Sequence, residues 1–272
     1  MDCRRVLRES GEPIRFRVRG VEIGGETPVI IAGPCSIEDR DMIVETAEAI
    51  KRILVDKYGF RNVVIRGGAW KPRTSPYSFQ GHGAKALEWL REAGDRTGLP
   101  VATEVMDPRD VKTAAEYVDI MWVGARNMQN TPLLRELARA GKPVLLKRHF
   151  GATINEWLCS AEYLLAGGLE EVALVERGTR GFNEYARFSL DITVVPVVRE
   201  VSRLPIIVDV SHPAGRRSLV PWLARAALAA GAHGVMMEVH PNPDKALSDS
   251  KQQLPFKMFE ELVDQLRGAG LI

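Results

Sequence analysis

Five polar strings interrupt the 272-residue chain: AGPCS at 32–36, IRGGAWKPRTSPYSFQG at 65–81, GARNMQN at 124–130, VDVSHPAGRR at 208–217 and MEVHPNPDKALSDS at 237–250. Each follows a short apolar run. They supply Cys35, His212, Glu238 and Asp249, a mixed sulfur, nitrogen and oxygen donor set. Such a set suits one divalent ion of the Mn2+, Fe2+, Zn2+ or Co2+ kind. A second group is cationic: Arg66, Lys71, Arg73, Arg126, Lys147 and Arg177 sit at or just after the ends of successive runs. Gathered in one place, six cations repel one another unless something anionic lies between them. Arg grips phosphate or carboxylate with two parallel bonds and Lys acts as a point charge. Thr74 and Ser75 add hydroxyl donors beside Arg73. The inferred ligand is small and multiply anionic.

Each residue also has a plainer reading. A lone Cys is most often a small buried apolar residue, and Cys159, inside a helical pattern, reads that way. Asp249 alone would pass for a solvated loop acid, and any one loop Arg for a surface charge. His240, two residues past Glu238, competes as a ligand, whereas His233 begins an apolar run and reads as structural. Gly67 and Gly68 either let backbone approach a ligand or simply make a tight turn.

The elements that must position these residues form a rhythm. The runs PVIIAG, NVVIRG, PVATEV, DIMWVG, PVLLKR, EVALVER, PIIVDV and HGVMMEV start near residues 28, 62, 100, 119, 143, 171, 205 and 233. They are short, rich in Val and Ile, and apolar without alternation, as strands buried on both faces are. Helical patterns lie between them at 40–57, 83–96, 130–140, 154–167, 218–230 and 256–268. Several close on a glycine (Gly98, Gly141, Gly167, Gly231), which suits the left-handed helix-ending position. Eight strand–helix units predict an α/β fold, a single-domain (β/α)8 TIM barrel over 28–272. An open doubly wound sheet is the alternative, but the Gly-rich dinucleotide fingerprint is missing after the first run. Residues 1–27 form an extension with a β-hairpin over 14–23. In a closed barrel the last strand neighbours the first, so Cys35, His212, Glu238 and Asp249 meet on one side of the mouth.

Composition removes other classes. Apolar residues make up 45% of the chain, enough for a full core, and the net charge of +2 lacks the footprint of a nucleic-acid binder. The three cysteines do not suggest a disulfide framework. Neither a signal-peptide core nor a membrane-length apolar stretch is present, so the expected location is cytoplasmic.

Taken in order, GPCS, RGGAWKPRTSPYSFQG, TEVMD (103–107), GARNMQN, LLKR (145–148), ERG (176–178), SHPAGRR and EVHPNPDKALSD resemble the type I 3-deoxy-D-arabino-heptulosonate 7-phosphate (DAHP) synthases, β subgroup, over residues 14–268. The resemblance implies a barrel transferase that condenses phosphoenolpyruvate with erythrose 4-phosphate and water, releasing phosphate, at the start of the shikimate pathway to aromatic amino acids. It implies metal ligands at Cys35, His212, Glu238 and Asp249. Phosphoenolpyruvate contacts fall on Arg66, Lys71, Arg126, Lys147 and Arg177, and aldose phosphate contacts on Arg73, Thr74 and Ser75. Lys71, in the loop where both substrates meet, is the expected proton donor. Trp70 stands where Phe is usual, and His149 where Gly is common. Family members often carry a ferredoxin-like or chorismate mutase regulatory module, and residues 1–13 are too short for either. The expectation is therefore a core without feedback inhibition by Phe or Tyr. A homodimer or homotetramer is implied, with the hairpin as a candidate contact. Two alternatives remain. One is the sister 3-deoxy-D-manno-octulosonate 8-phosphate synthase, which uses arabinose 5-phosphate and carries a KANRSS-like string in place of KPRTSP. The other is a metabolite-binding partner of a separate chorismate mutase, without turnover.

Overall fold

Val- and Ile-rich runs with no polar alternation suit strands covered on both faces. A computed structural model, describing residues 3–272, has this architecture. A small antiparallel hairpin, β1 (Phe16–Val18) and β2 (Val21–Ile23), precedes the barrel. The barrel strands are β3 (Val29–Gly33), β4 (Val63–Arg66), β5 (Val101–Glu104), β6 (Ile120–Val123), β7 (Val144–Lys147), β8 (Val172–Glu176), β9 (Ile206–Asp209) and β10 (Gly234–Glu238). All eight are parallel neighbours in sequence order, and β10 closes onto β3. Every residue in them is buried. The closing register pairs Glu238 with Gly33, and β10 meets β9 with Met236 opposite Asp209. The first and last strands thus deliver their carboxyl ends to one spot. The open-sheet alternative is excluded.

Outside the barrel lie α1 (Arg40–Lys51, continued as π-helix to Lys57), α2 (Ala84–Thr97), α3 (Val111–Tyr117), α4 (Thr131–Ala140), α5 (Ile154–Ala166), α6 (Val194–Val201), α7 (Ser211–Ala214), α8 (Val220–Ala229) and α9 (Phe256–Gly268). Side-chain caps define several starts: Asp39 accepts from the Met42 N–H, and Thr153 with Glu156 forms a capping box. Gly98, Gly141 and Gly231 take the expected left-handed backbone, but after α5 it is Gly168 (φ +96°) that does so, with Gly167 still helical. Among the described residues no helix is long and apolar enough to cross a membrane.

The hairpin packs against the barrel where strands begin. Ile14 N–H donates to the Arg203 carbonyl, just before β9, and Glu22 exchanges two backbone bonds with the Asn62 side chain, just before β4. Phe16, Val18, Val21 and Ile23 are buried in the core. The hairpin's apolar face is therefore occupied by its own barrel.

The reading of Cys159 as a plain apolar residue is corrected. It is half-buried in α5 and joined to Cys3 by a disulfide, leaving Cys35 as the free thiol. The bridge spans 156 residues, a separation that leaves no local sequence signal. Neighbouring bonds hold the segment in place. Backbone N–H groups of Arg5 and Val6 both donate to the Glu162 carboxylate, and Val6 accepts from Arg203 N–H and Ser202 Oγ. Closing so long a loop restricts the unfolded chain, which stabilises the fold by about 2–5 kcal/mol. Reduction, or Cys3→Ser, should lower the melting temperature by roughly 5–15 °C. Accessible thiols in the denatured protein should rise from one to three on reduction. Equal melting temperatures with and without reductant would contradict the bridge.

Candidate active site and metal centre

The carboxyl end of the barrel encloses a cavity of about 260 Å3. Lys71, Arg73, Thr74, Ser75, Arg126, Lys147, Arg177, His212 and Asp249 line it, together with Glu104, Arg187, Phe150 and Phe188. Arg66, Cys35 and Glu238 lie a layer deeper. They reach the lining through Lys71, Asp249 and His212.

Three of the four expected donors form a close group, with His212 at its edge. Cys35 Sγ and one carboxylate oxygen each from Glu238 and Asp249 lie within 4.8 Å of one another. His212 Nε2 stands 3.5 Å from Glu238 Oε1 and 3.8 Å from Asp249 Oδ2. Its Nδ1 faces Asp209 Oδ2 at 2.8 Å, so the neutral ring donates there and turns the Nε2 lone pair toward the carboxylates. Burial lowers the His212 pKa, which favours that neutral form. Lys71 Nζ sits 2.6 Å from Cys35 Sγ and 3.2 Å from Asp249 Oδ2, so a positive charge already rests against these donors. Cys35 sulfur and two carboxylates form the close group, with the His212 imidazole bordering it on the Glu238 and Asp249 side, and these donor types fit a divalent transition ion. His240 does not join them. Its Nδ1 accepts from Asn242 N–H and its Nε2 lies 3.6 Å from Glu38, so it is corrected to a loop-bracing residue.

Burial and neighbours tune the charges. Burial and the nearby Glu238 carboxylate push the Cys35 thiol up. Burial works against the Lys71 ammonium, but contact with the Cys35 sulfur and the negative field of Asp249, Glu238 and Glu104 overcome it and raise its pKa. Burial lowers Lys147 despite Asp209, and pushes Arg177 down to about 10.

Asp209 is a residue the strand-end reading passed over. It is fully buried, and Oδ2 accepts from Lys147 Nζ (2.6 Å) and His212 Nδ1 (2.8 Å), while Oδ1 accepts from the Ser211 and His212 N–H groups (3.1 Å each). It ties the cation group to the ligand group. Glu104, known from sequence only as part of TEVMD, projects into the cavity, and a Cβ at Gly124 would collide with its carboxylate. Arg148 bonds Glu176 and Asp191 (3.0 Å each) and anchors the segment after β8.

Two cations have spare donors. Nε and Nη1 of Arg66 and Nη1 of Arg177 are buried without hydrogen-bond partners among the described residues. Arg66 uses only Nη2, toward Glu238 Oε1 (3.4 Å) and the Cys35 carbonyl (3.5 Å), and its guanidinium lies over the Trp122 ring. Buried unpaired guanidinium N–H groups are costly, and an anion would satisfy them.

The KPRTSP string is a loop closed on itself. Lys71 N–H donates to the Gln80 carbonyl, and the Gln80 amide donates to the Ser75, Pro76 and Ser78 carbonyls. Thr74 and Ser75 are exposed at the outer cavity rim. Gly67 and Gly68 serve packing: Cβ atoms there would press on Ile37 and on the Cys35 carbonyl, so these glycines seat the Cys35 loop. Trp70 packs over Gly83, outside the cavity lining. His149 likewise lies outside the lining. Its Nδ1 accepts from Gly151 N–H and its ring stacks on Phe150.

Asp209→Asn tests the central tie. Either orientation of the amide aims its NH2 at two donors and leaves Lys147 uncompensated. The variant should lose about 3–5 kcal/mol of stability, read by denaturant unfolding. A loss below 1 kcal/mol would show that Lys147 and His212 do not depend on this carboxylate.

Comparison with known proteins shows the family to which the chain belongs. The model of the DAHP synthetase I family matches residues 9–269. A phospho-2-dehydro-3-deoxyheptonate aldolase of Thermotoga maritima is 53% identical over 247 residues, 91% of this chain and 71% of that protein. A 2-dehydro-3-deoxyphosphooctonate aldolase of Desulfatibacillum aliphaticivorans is 36% identical over 89% of this chain and 92% of its own. The crystal structure of the Thermotoga maritima DAHP synthase superposes with a TM-score of 0.91 at 49% identity, over 97% of this chain and 75% of that one. A truncated form of the Thermotoga maritima synthase gives 0.88 at 47% identity, over 97% and 95%. With its barrel, its strand-end donors and a family match over nearly its whole length, the chain belongs to the DAHP synthetase I family.

Proposed function

We propose that this protein condenses phosphoenolpyruvate with erythrose 4-phosphate and water to give 3-deoxy-D-arabino-heptulosonate 7-phosphate and inorganic phosphate. The observation that carries the reading is the pairing of unsatisfied buried guanidinium groups, Arg66 and Arg177, with a sulfur and carboxylate donor group bordered by His212, in and just beneath one cavity. Phosphoenolpyruvate carries both a carboxylate and a phosphate, and Arg66, Lys147 and Arg177 offer complementary charge at the inner end. Arg126 completes that group from the rim. Arg73, Thr74 and Ser75, toward the outer rim, offer a guanidinium and hydroxyls suited to the aldose phosphate.

The reaction forms a bond between C3 of phosphoenolpyruvate and the aldehyde carbon. Water then adds at C2, and the phosphohemiketal loses phosphate as its C2–O bond to phosphate breaks. Cys35, His212, Glu238 and Asp249 would hold a divalent ion, which would supply polarisation of the aldehyde oxygen or activation of the attacking water. Lys71, kept protonated by surrounding anions, is positioned to give its proton to the new alkoxide. Lys147 and Arg177 hold the enol ether and stabilise charge as it moves toward the aldehyde. Glu104, facing the same space, is the carboxylate suited to accept a proton from the incoming water.

Phosphate release tests this directly. With phosphoenolpyruvate and erythrose 4-phosphate, release should occur, stop with EDTA and return with Mn2+. Preference for arabinose 5-phosphate would reassign the sugar to the five-carbon class, and turnover unaffected by EDTA would remove the metal role. No release with either sugar would overturn the reading in favour of metabolite binding.

A further inference from the structure

The segment between β8 and α6 carries one residue that neither strand ends nor motifs singled out. Arg187 Nη1 donates to Asp249 Oδ1 (3.2 Å) and to Gln252 Oε1 (3.3 Å). Gln252 in turn donates its amide to Glu238 Oε2 at 2.7 Å. One guanidinium nitrogen therefore touches one candidate ligand and reaches a second through a single amide. The other Asp249 oxygen, Oδ2, faces Cys35 Sγ (3.1 Å) and His212 Nε2 (3.8 Å). Asp249 thus presents one oxygen to Arg187 and the other to the donor cluster.

Asp249 needs such a hold. Its φ is +44°, the left-handed region that costs a non-glycine residue about 1 kcal/mol or more. Arg187 is itself fixed against the helix that bears His212. Phe188 N–H donates to the Pro213 carbonyl, and a Cβ on Gly215 would come within 2.5 Å of Arg187 Cβ. The Arg187–Phe188 pair thereby links the element carrying His212 to the loop carrying Asp249.

We propose that Arg187 is a positioning residue for the metal centre, holding Asp249 and Gln252 so that the sulfur, nitrogen and oxygen donors converge. The inference rests on the metal reading of this site. Charge and geometry predict opposite outcomes. As a cation, Arg187 repels a divalent ion, so simple electrostatics makes its removal tighten binding. As a brace, its removal lets Asp249 relax, and binding weakens. Loss of groups that orient metal ligands typically weakens affinity about 10–100-fold.

The test uses the full chain stripped with EDTA and titrated with Co2+, followed by the thiolate-to-cobalt absorption that reports Cys35. Arg187→Ala should raise the Co2+ dissociation constant about 10–100-fold, and Arg187→Lys should recover part of the loss. The far-ultraviolet circular dichroism should stay unchanged. If the Ala variant misfolds, Arg187→Gln carries the same comparison. Equal or tighter Co2+ binding in the variant overturns the inference while leaving the metal site standing. A wild-type protein with no Co2+ signal overturns the metal reading and this inference with it.

Discussion

A carboxylate with no solvent contact, Asp209, holds a lysine and a histidine that would otherwise belong to separate functions. Burying an ion costs several kcal/mol, recovered only when geometry and further hydrogen bonds are good. Asp209 meets that condition with four donors. It sets the ring orientation of His212 among the candidate ligands and offsets part of the burial cost of the Lys147 ammonium among the candidate substrate cations. Glu238 has a similar part between Arg66, His212 and Gln252. The mouth of the barrel is thus a network of buried opposite charges, stable because each anion faces more than one donor.

The network is incomplete on the cationic side. Arg66 and Arg177 keep N–H groups without partners, and burial pushes Arg177 down to about 10. A stabilising design would pair them, so these residues carry unfavourable energy that a dianionic ligand relieves on binding. The same logic makes the cavity selective: a neutral molecule of equal size leaves the guanidinium groups unsatisfied.

Much of this was legible in the sequence. Unalternating Val/Ile runs predicted all eight strands and the closed barrel, and strand-end position identified both charge groups. Three helices were not singled out, for local reasons: α3 and the four-residue α7 are short, and α6 reads VVPVVREV, a β-branched run with an internal proline that resembles a strand. Asp209 looked like the last residue of a strand, because its role depends on Lys147, 62 positions away. Arg187 lay in a connection where the reading sought no chemistry. The Cys3–Cys159 bridge has no local pattern at all. What was missed depends on contacts between segments distant in sequence, which no spacing rule encodes.

On this reading a buried cation cluster, assembled before any metal or sugar arrives, receives phosphoenolpyruvate. Calorimetric titration of phosphoenolpyruvate into metal-free protein in EDTA, without sugar, measures this directly. The predicted result is saturable binding of one molecule per chain, weakened about 10–100-fold by Arg177→Ala. Absence of binding until metal or aldose is added would contradict the claim and shift recognition from the cation cluster to the metal.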